Sequence, residues 1–265
     1  MHEHIVRATI ESGTVEGFTR DGVNRWRSIP YARPPVGRLR LRAPQPVEPW
    51  PGVRYCHGFG YCAPQQRMYT ILAPGKYQPT SEDCLTLNVV TPKHPGDQLL
   101  PVMVFIHGGG YFMGSSATPI YDGAAVARKG CVYVSVNYRL GALGCLDLSS
   151  LSNKDVIFDD NLYLRDLVMA LRWVRDNVAV FGGDPDNVTV FGESRRARRR
   201  HPTCRSSRQR PVRPSDFGES RRRNGPLHGC GARVRHQVRC AARRPQGGRR
   251  PRRDGCASGG PGERV

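Results

Sequence analysis

The segment NVTVFGES, residues 187–194, decides the fold of this chain. A short, mainly apolar run leads into Gly192-Glu193-Ser194, and a G-x-S sequence after a buried strand is typical of a sharp turn that exposes the serine hydroxyl. Glycine permits the strained backbone that such a turn requires. The usual G-x-S-x-G pattern is only half present, because two arginines occupy the places after the serine.

Three earlier runs have the near-continuous apolar character of strands buried on both faces: LTLNVV (85–90), PVMVFI (101–106) and CVYVSV (131–136). Helical patterns lie between the strands. One begins with Asp122 as its cap and runs to Lys129, with Gly130 after it, and a longer one runs from Asn161 to the glycines at 182 and 183. The longer pattern has one apolar stripe, formed by Leu164, Leu167, Val168, Leu171, Val174 and Val178. This alternation predicts an α/β fold, with a mostly parallel sheet covered by helices on both faces.

The N-terminal part has a different pattern. Short alternating runs at 5–10, 14–18 and 24–27 are separated by glycine-containing turns and predict a small antiparallel meander. The proline-rich connector that follows, IPYARPPVGRLRLRAPQP (29–46), is expected not to be helical.

A second glycine motif, His107-Gly108-Gly109-Gly110, comes directly after the run PVMVFI. Residues without side chains at the end of a strand allow backbone N–H groups to converge on one point, as an oxyanion hole for acyl transfer requires. Taken alone, the triplet fits a plain turn equally well. The serine turn farther along the chain favours the oxyanion hole.

Charge divides the chain at the serine. Of 41 basic and 22 acidic residues, 22 arginines and four acids lie in residues 195–265, which therefore carry +18, while residues 1–194 carry +1. Only 15 of those last 71 residues are apolar, too few to offset the entropy of ordering the backbone. We expect residues 1–194 to form a packed domain and residues 195–265 to be a disordered tail.

Two interpretations of the tail remain open. Arginine, glycine, proline and alanine dominate it, as expected if a G+C-rich gene were read out of frame, so a frameshift after Ser194 would explain the abrupt change. Alternatively the tail is a genuine basic segment that binds nucleic acid or anionic surfaces through charge alone. It lacks the aromatic residues and the binding fold that specific nucleic-acid recognition would need.

Five ordered blocks, spread over almost the whole of residues 5–194, resemble the type-B carboxylesterase family of α/β-hydrolases. The resemblance is carried by VNRWRSIPYARPPVGRLR, SEDCLTLNVVTP, PVMVFIHGGGYFMGS, VSVNYRLGALG and LRWVRDNVAVFGGDPDNVTVFGES. It implies a serine hydrolase that cleaves small carboxylic esters through an acyl-serine intermediate, with no metal and no cofactor.

The resemblance also implies roles for individual residues. Ser194 matches the nucleophile, and the backbone N–H groups of Gly109, Gly110 and Arg195 match the oxyanion-hole donors. The supporting residues are His107, Gly108, Gly192 and Glu193, the last in a buried polar network beneath the turn. Cys62 and Cys84 match a pair that is bonded in secreted members, although a cytosolic member would leave both as thiols. Arg40 and Glu82 match a structural ion pair.

The chain departs from the family after Ser194. Family members continue for roughly twice this length and supply an acid and then a histidine after the serine. This chain offers Asp216 or Glu219, followed by His228 or His236, and no strand-like sequence pattern that could place any of them comes before it in residues 195–265. We therefore expect the chain itself to be inactive. His107 is not expected to substitute as a base, because it belongs to the oxyanion loop.

The remaining sequence features concern cellular location and the state of the cysteines. No apolar run reaches the roughly 20 residues of a membrane span and no signal peptide is visible, which predicts a cytoplasmic protein. The five cysteines before residue 194 include no metal-like pair and are expected to be buried thiols, consistent with a reducing compartment. The ester preference and the oligomeric state are left open.

Overall fold

A computed structural model describes residues 4–193. Over this range the chain forms ten strands: β1 His4–Ile10, β2 Gly13–Arg20, β3 Val23–Pro30, β4 Val53–Tyr55, β5 Ile71–Ala73, β6 Lys76–Tyr77, β7 Thr86–Pro92, β8 Leu100–Ile106, β9 Val132–Val136 and β10 Gly183–Gly192. The three α-helices are α1 Ala124–Ala127, α2 Gly141–Cys145 and α3 Leu162–Asn177.

One mixed sheet organises the described residues, in the order β1-β2-β3-β7-β9-β8-β10, with β4 beside β2. The antiparallel part runs from β1 to β9, and β9, β8 and β10 are parallel to one another. The predicted meander is confirmed as β1 to β3. Asp21 and Gly22 join β2 to β3 and both have positive φ, the conformation of a tight hairpin turn.

Helices cover both faces of the sheet, as the sequence predicts. On one face α3 packs into the main core through Trp173 and Val174. On the other face Ala124 and Ala127 of α1 pack against Phe105 of β8 and Tyr133 of β9. The α/β class is therefore confirmed. Within residues 4–193 the parallel pairs are those of β8 with β9 and β10, which connect through α1 and α3, and that of β4 with β2.

The predicted stripe of α3 is partly wrong. Its buried residues are Leu162, Asp166, Ala170, Trp173, Val174 and Asn177. Leu164 is 42% exposed, although its apolar character placed it in the predicted stripe. The helix buries Asp166 instead, because Arg139 pairs with that carboxylate, and apolar periodicity cannot indicate a buried charge.

Two other local predictions need correction. The helix expected from Asp122 to Lys129 is only one turn long, although the Oδ1 atom of Asp122 does accept a hydrogen bond from the Ala124 N–H. The connector is not free of helix, because Gly37–Leu39 forms a 3-10 turn. Such a turn needs only one closing bond, which the Arg40 N–H donates to the Gly37 carbonyl, and the prolines therefore do not prevent it.

No helix within residues 4–193 has the length and apolarity to cross a bilayer. The same residues contain no group of three His, Cys, Asp or Glu side chains arranged to hold a metal ion.

Candidate active site

The HGGG motif and the G-E-S motif occur at the carboxyl ends of two adjacent strands. β8 and β10 are adjacent and parallel, and Gly192 at the end of β10 is opposite Ile106 at the end of β8. Neighbouring strands are about 4.8 Å apart, so the chain continues into His107 and into Glu193 at the same edge of the sheet. A Cβ atom at Gly192 would lie 2.6 Å from the Ile106 carbonyl oxygen, which explains the need for glycine.

The glycine loop has an unusual backbone. Gly109 has a φ of +120° and Gly110 a φ of +64°, a region that favours glycine. A side chain at Gly109 would overlap the carbonyl of Met113, because the Met113 N–H donates to the Gly109 carbonyl across 3.2 Å and closes the loop. Tyr111 continues the run with a φ of +69°. A side chain is thus excluded at Gly109 by both conformation and space.

The turn leaves backbone donors available. Among residues 4–193, no atom accepts a hydrogen bond from the N–H of Gly109 or of Gly110. Gly109 is half-buried and Gly110 is exposed, so both N–H groups are open to a ligand. Two consecutive donors at a strand end are candidates for binding an anion or a polarised oxygen.

Contacts from distant parts of the chain hold this loop, and sequence reasoning missed them. The side-chain amide of Gln65 accepts from the Gly114 N–H at 2.7 Å and donates to the Gly114 carbonyl at 2.8 Å. On the other side the Gly141 N–H donates to the Tyr111 carbonyl at 2.7 Å. Because these partners are far apart in the chain, no local motif indicates them.

His107 is buried within the loop. Its ring stacks on Tyr138, with the ring centres 4.6 Å apart, and its Nδ1 atom lies 2.9 Å from the Gly108 carbonyl. Burial lowers its pKa to about 4, so the ring is neutral at neutral pH and Nδ1 carries the proton that it donates. Among the described residues Nε2 has no hydrogen-bond partner. These contacts support a structural role.

The serine turn is described only up to Glu193. Ser194 and Arg195 lie outside the described residues, as do Asp216, Glu219, His228 and His236. Glu193 is exposed and its Oε2 atom accepts one hydrogen bond, from the Tyr121 hydroxyl at 3.2 Å. The buried polar network expected around Glu193 is therefore not formed among residues 4–193, where no element covers this carboxylate.

The remaining predicted residues lie away from this edge. Arg40 binds Glu82 in a two-pronged ion pair, with N···O distances of 2.7 and 2.6 Å. Cys62 and Cys84 are buried free thiols, and burial raises the pKa of Cys62 to about 11 and that of Cys84 further. Cys56 and Cys131 are also buried, whereas Cys145, expected to be buried, is exposed.

A mixed sheet that brings a glycine loop and the glycine of a G-E-S sequence to one edge is the arrangement found in the α/β-hydrolase class. A profile of the Carboxylesterase family matches residues 3–197. The para-nitrobenzyl esterase of Bacillus subtilis is 47% identical over 187 residues, which are 70% of this chain and 37% of that protein. The fumonisin B1 esterase of Sphingopyxis macrogoltabida is 45% identical over 192 residues, which are 72% of this chain and 35% of that protein.

Solved structures agree with the sequence comparison. A structure of PNB esterase superimposes with a TM-score of 0.66 and 46% identity over 71% of this chain and 38% of that chain. The chain therefore belongs to the Carboxylesterase family. It spans about a third of the length of the curated relatives that it matches.

Proposed function

We propose that the sheet edge at the carboxyl ends of β8 and β10 is the acyl-transfer site of a carboxylic ester hydrolase, with Ser194 as its nucleophile. The observation that carries this proposal is the parallel register of Ile106 and Gly192. It brings the glycine loop and Glu193, the residue before Ser194, to the same edge, which supports a site where a nucleophile and backbone donors act on one carbonyl group.

The proposed chemistry needs no metal and no cofactor. A base takes the proton of the serine hydroxyl and later gives it to the alcohol, the Oγ atom bonds to the acyl carbon, and the C=O π electrons move to the carbonyl oxygen, which takes the negative charge. The N–H groups of Gly109, Gly110 and Arg195 donate to that oxygen, and each such donor typically contributes about 3–4 kcal/mol to stabilising the transition state. The C–O bond to the alcohol then breaks, the alcohol takes up a proton, and water releases the acid in the reverse sequence.

A base must accept the serine proton, and we propose that this chain has none. His107 is neutral and buried, with Nδ1 bound to its neighbouring carbonyl, and it is assigned to support of the loop. The only acid and histidine pairs in the required order lie in residues 195–265, outside the described range. Serine without a base is a weak nucleophile, so the chain is expected to be inactive.

We further propose that residues 1–194 are the N-terminal part of the hydrolase domain and that residues 195–265 arise from a shifted reading frame. The family profile ends at residue 197, close to the point where the composition changes. Translation of the coding DNA in the other two frames after codon 194 tests this directly. An Ala-Gly pair followed by strand and helix patterns is expected in one of them.

Activity is tested with a short-chain p-nitrophenyl ester. The purified 265-residue chain is expected to show the same background rate as its Ser194→Ala variant. The chain with its frame restored should turn over the ester, and Ser194→Ala should abolish that activity. Serine-dependent turnover by the 265-residue chain would overturn the inactivity proposal and direct attention to His228 and His236. Serine-independent turnover by the restored chain would overturn the assignment of the nucleophile.

The alternative function, nonspecific binding of nucleic acid or anionic surfaces, rests on the charge of +18 in residues 195–265. Binding of this kind releases counterions and ignores base sequence, so affinity for DNA should fall steeply with salt and be equal for unrelated duplexes. A titration at two salt concentrations with two sequences tests it. A sequence preference would contradict this account.

A further inference from the structure

A cavity of about 300 Å³ lies on the sheet face that carries α1. Its floor is formed by β3, β7 and β9, and its wall by the loop of residues 116–123. None of the proposed acyl-transfer residues lines it. This volume is at the lower end of the range for small-molecule sites. It is roughly the volume that ten water molecules occupy in liquid water.

The charge around this cavity is unbalanced. Three arginines, Arg20, Arg25 and Arg27, line it together with one carboxylate, Asp122, and Arg20 also pairs with Asp21 at 3.6 Å, which leaves a net positive charge. A cleft lined by one sign of charge concentrates ions of the opposite sign. The cavity therefore favours an anion over a neutral or cationic ligand.

Arg25 is the buried member of this set, with its side chain only 5% exposed. It donates to the Arg20 carbonyl at 2.5 Å and to Asp122 at 3.5 Å. The second distance is long for an ion pair, and half of the Asp122 side chain faces solvent. A guanidinium group has five N–H donors, so within residues 4–193 Arg25 retains donors for a further acceptor.

Two serine hydroxyls add to the donor set. The Ser28 N–H donates to the Asn88 Oδ1 atom, which fixes the orientation of the Asn88 amide. Its NH₂ group then donates to Ser116 at 2.9 Å and to Ser135 at 3.0 Å. Both hydroxyls are buried and line the cavity, and no atom of residues 4–193 accepts their hydrogens. Both hydroxyl hydrogens are therefore available to a ligand in the cavity, and an anion would accept both.

The rest of the wall is apolar. Phe59, Leu72, Val90 and Ala117 line it, and the Arg27 guanidinium stacks on Phe59 at 4.2 Å. An inorganic anion would leave this apolar surface unfilled. A ligand with a carboxylate and a compact apolar body matches both parts of the cavity.

We propose that this cavity is a binding site for a small organic carboxylate with an apolar or aromatic body, held through Arg25 and the hydroxyls of Ser116 and Ser135. Binding at this site requires no ester turnover. Its test is therefore independent of the proposed function and can fail or succeed separately.

The test uses the full 265-residue chain at low micromolar concentration and observes ligand ¹⁹F NMR signals. The probe 4-fluorobenzoate is expected to bind at least tenfold more tightly than 4-fluorobenzyl alcohol, which has the same ring without the charge. Inorganic phosphate at equal concentration should not displace it. Equal binding of the alcohol, displacement by phosphate or no binding of the benzoate would each overturn the proposal.

Substitutions locate the site. Arg25→Gln should weaken benzoate binding at least tenfold and Ser135→Ala at least threefold. Arg128→Gln is the matched control, because this exposed arginine binds the Asp21 carbonyl outside the cavity and should leave affinity unchanged. If Arg25→Gln fails to fold, Ser135→Ala and Ser116→Ala carry the test. Unchanged affinity in both serine variants would overturn the assignment to this cavity.

Discussion

At the scale of single residues, burial of His107 links the glycine loop to pH. In the unfolded chain the His107 ring takes up a proton at the usual histidine pKa of 6.5. In the folded chain burial lowers the pKa of this ring to about 4. The unfolded state therefore binds more protons between these values, and stability falls as pH falls through that window. The loss amounts to about 3 kcal/mol, from roughly 1.4 kcal/mol per pKa unit.

We expect the urea midpoint of the chain to fall between pH 6.5 and pH 4, and His107→Gln to flatten this part of the profile. The control is His94→Gln, at an exposed position, which should leave the slope unchanged. Equal slopes for wild type and His107→Gln would contradict the assignment.

Two ion pairs show how burial determines what an ion pair contributes to the free energy of unfolding. Asp166 and Arg139 are almost fully buried, and the carboxylate accepts two bonds of 2.6 and 2.8 Å from the guanidinium and one of 3.1 Å from the Arg139 N–H. Asp176 and Arg175 form a 2.6 Å pair at the surface. Breaking a buried pair leaves an uncompensated charge, whereas a surface pair contributes little.

Asp166→Ala should therefore lower the free energy of unfolding by about 3–5 kcal/mol, and Asp176→Ala by less than about 1 kcal/mol. Urea denaturation at neutral pH measures both. Similar losses in the two variants would show that burial does not distinguish these pairs.

At the scale of elements, α3 is anchored by residues that its apolar stripe predicts only in part. Trp173 is 6% exposed and packs against Phe181, while Leu164 is 42% exposed. Trp173→Ala should cost about 3–5 kcal/mol and Leu164→Ala much less, because only the first leaves a cavity. Thermal unfolding of the two variants is the measurement. A larger loss of stability for Leu164→Ala than for Trp173→Ala would support the apolar stripe that periodicity predicted.

At the scale of the whole molecule, β10 has a partner on one side only among the described strands. Its residues are mostly half-buried or exposed, whereas every residue of β9 is buried. Open apolar edges invite association. We expect sedimentation velocity to show association that rises with concentration, or recovery in complex with chaperones, and restoration of the reading frame to relieve it.

A lysine substitution on β10 tests whether the unpaired side of this strand causes the association. Thr189→Lys places a charge at an exposed position of β10 and should reduce association, and Thr9→Lys on β1, the opposite edge strand, is the matched control. A monodisperse monomer of the unmodified chain with a cooperative thermal transition would contradict the prediction. Equal effects of the two lysines would point to another surface.

The proposed domain boundary is tested by proteolysis. Trypsin should cut first near residues 195–200, where arginines are dense, and more slowly within residues 4–193, where the backbone is paired in sheet and helices. Mass spectrometry of a time course identifies the order of cleavage. Protection of residues 195–265 would argue that they form part of a packed structure.

The sequence by itself determined the features that depend on neighbouring residues. Alternating runs predicted the meander, continuous apolar runs predicted β7, β8 and β9, and the glycines at 109 and 110 indicated a backbone conformation that favours glycine. These properties follow from local sterics and from the periodicity of burial. Resemblance to a known family supplied the ion pair of Arg40 and Glu82.

Only the tertiary structure decided which distant groups meet. The register that places Gly192 opposite Ile106, the clamp of Gln65 on Gly114, the burial of Asp166 against Arg139 and the arginine-lined cavity all join residues far apart in the chain. Periodicity reports which face of an element is apolar, but the partner of a buried charge or of a free backbone donor is set by how the elements pack.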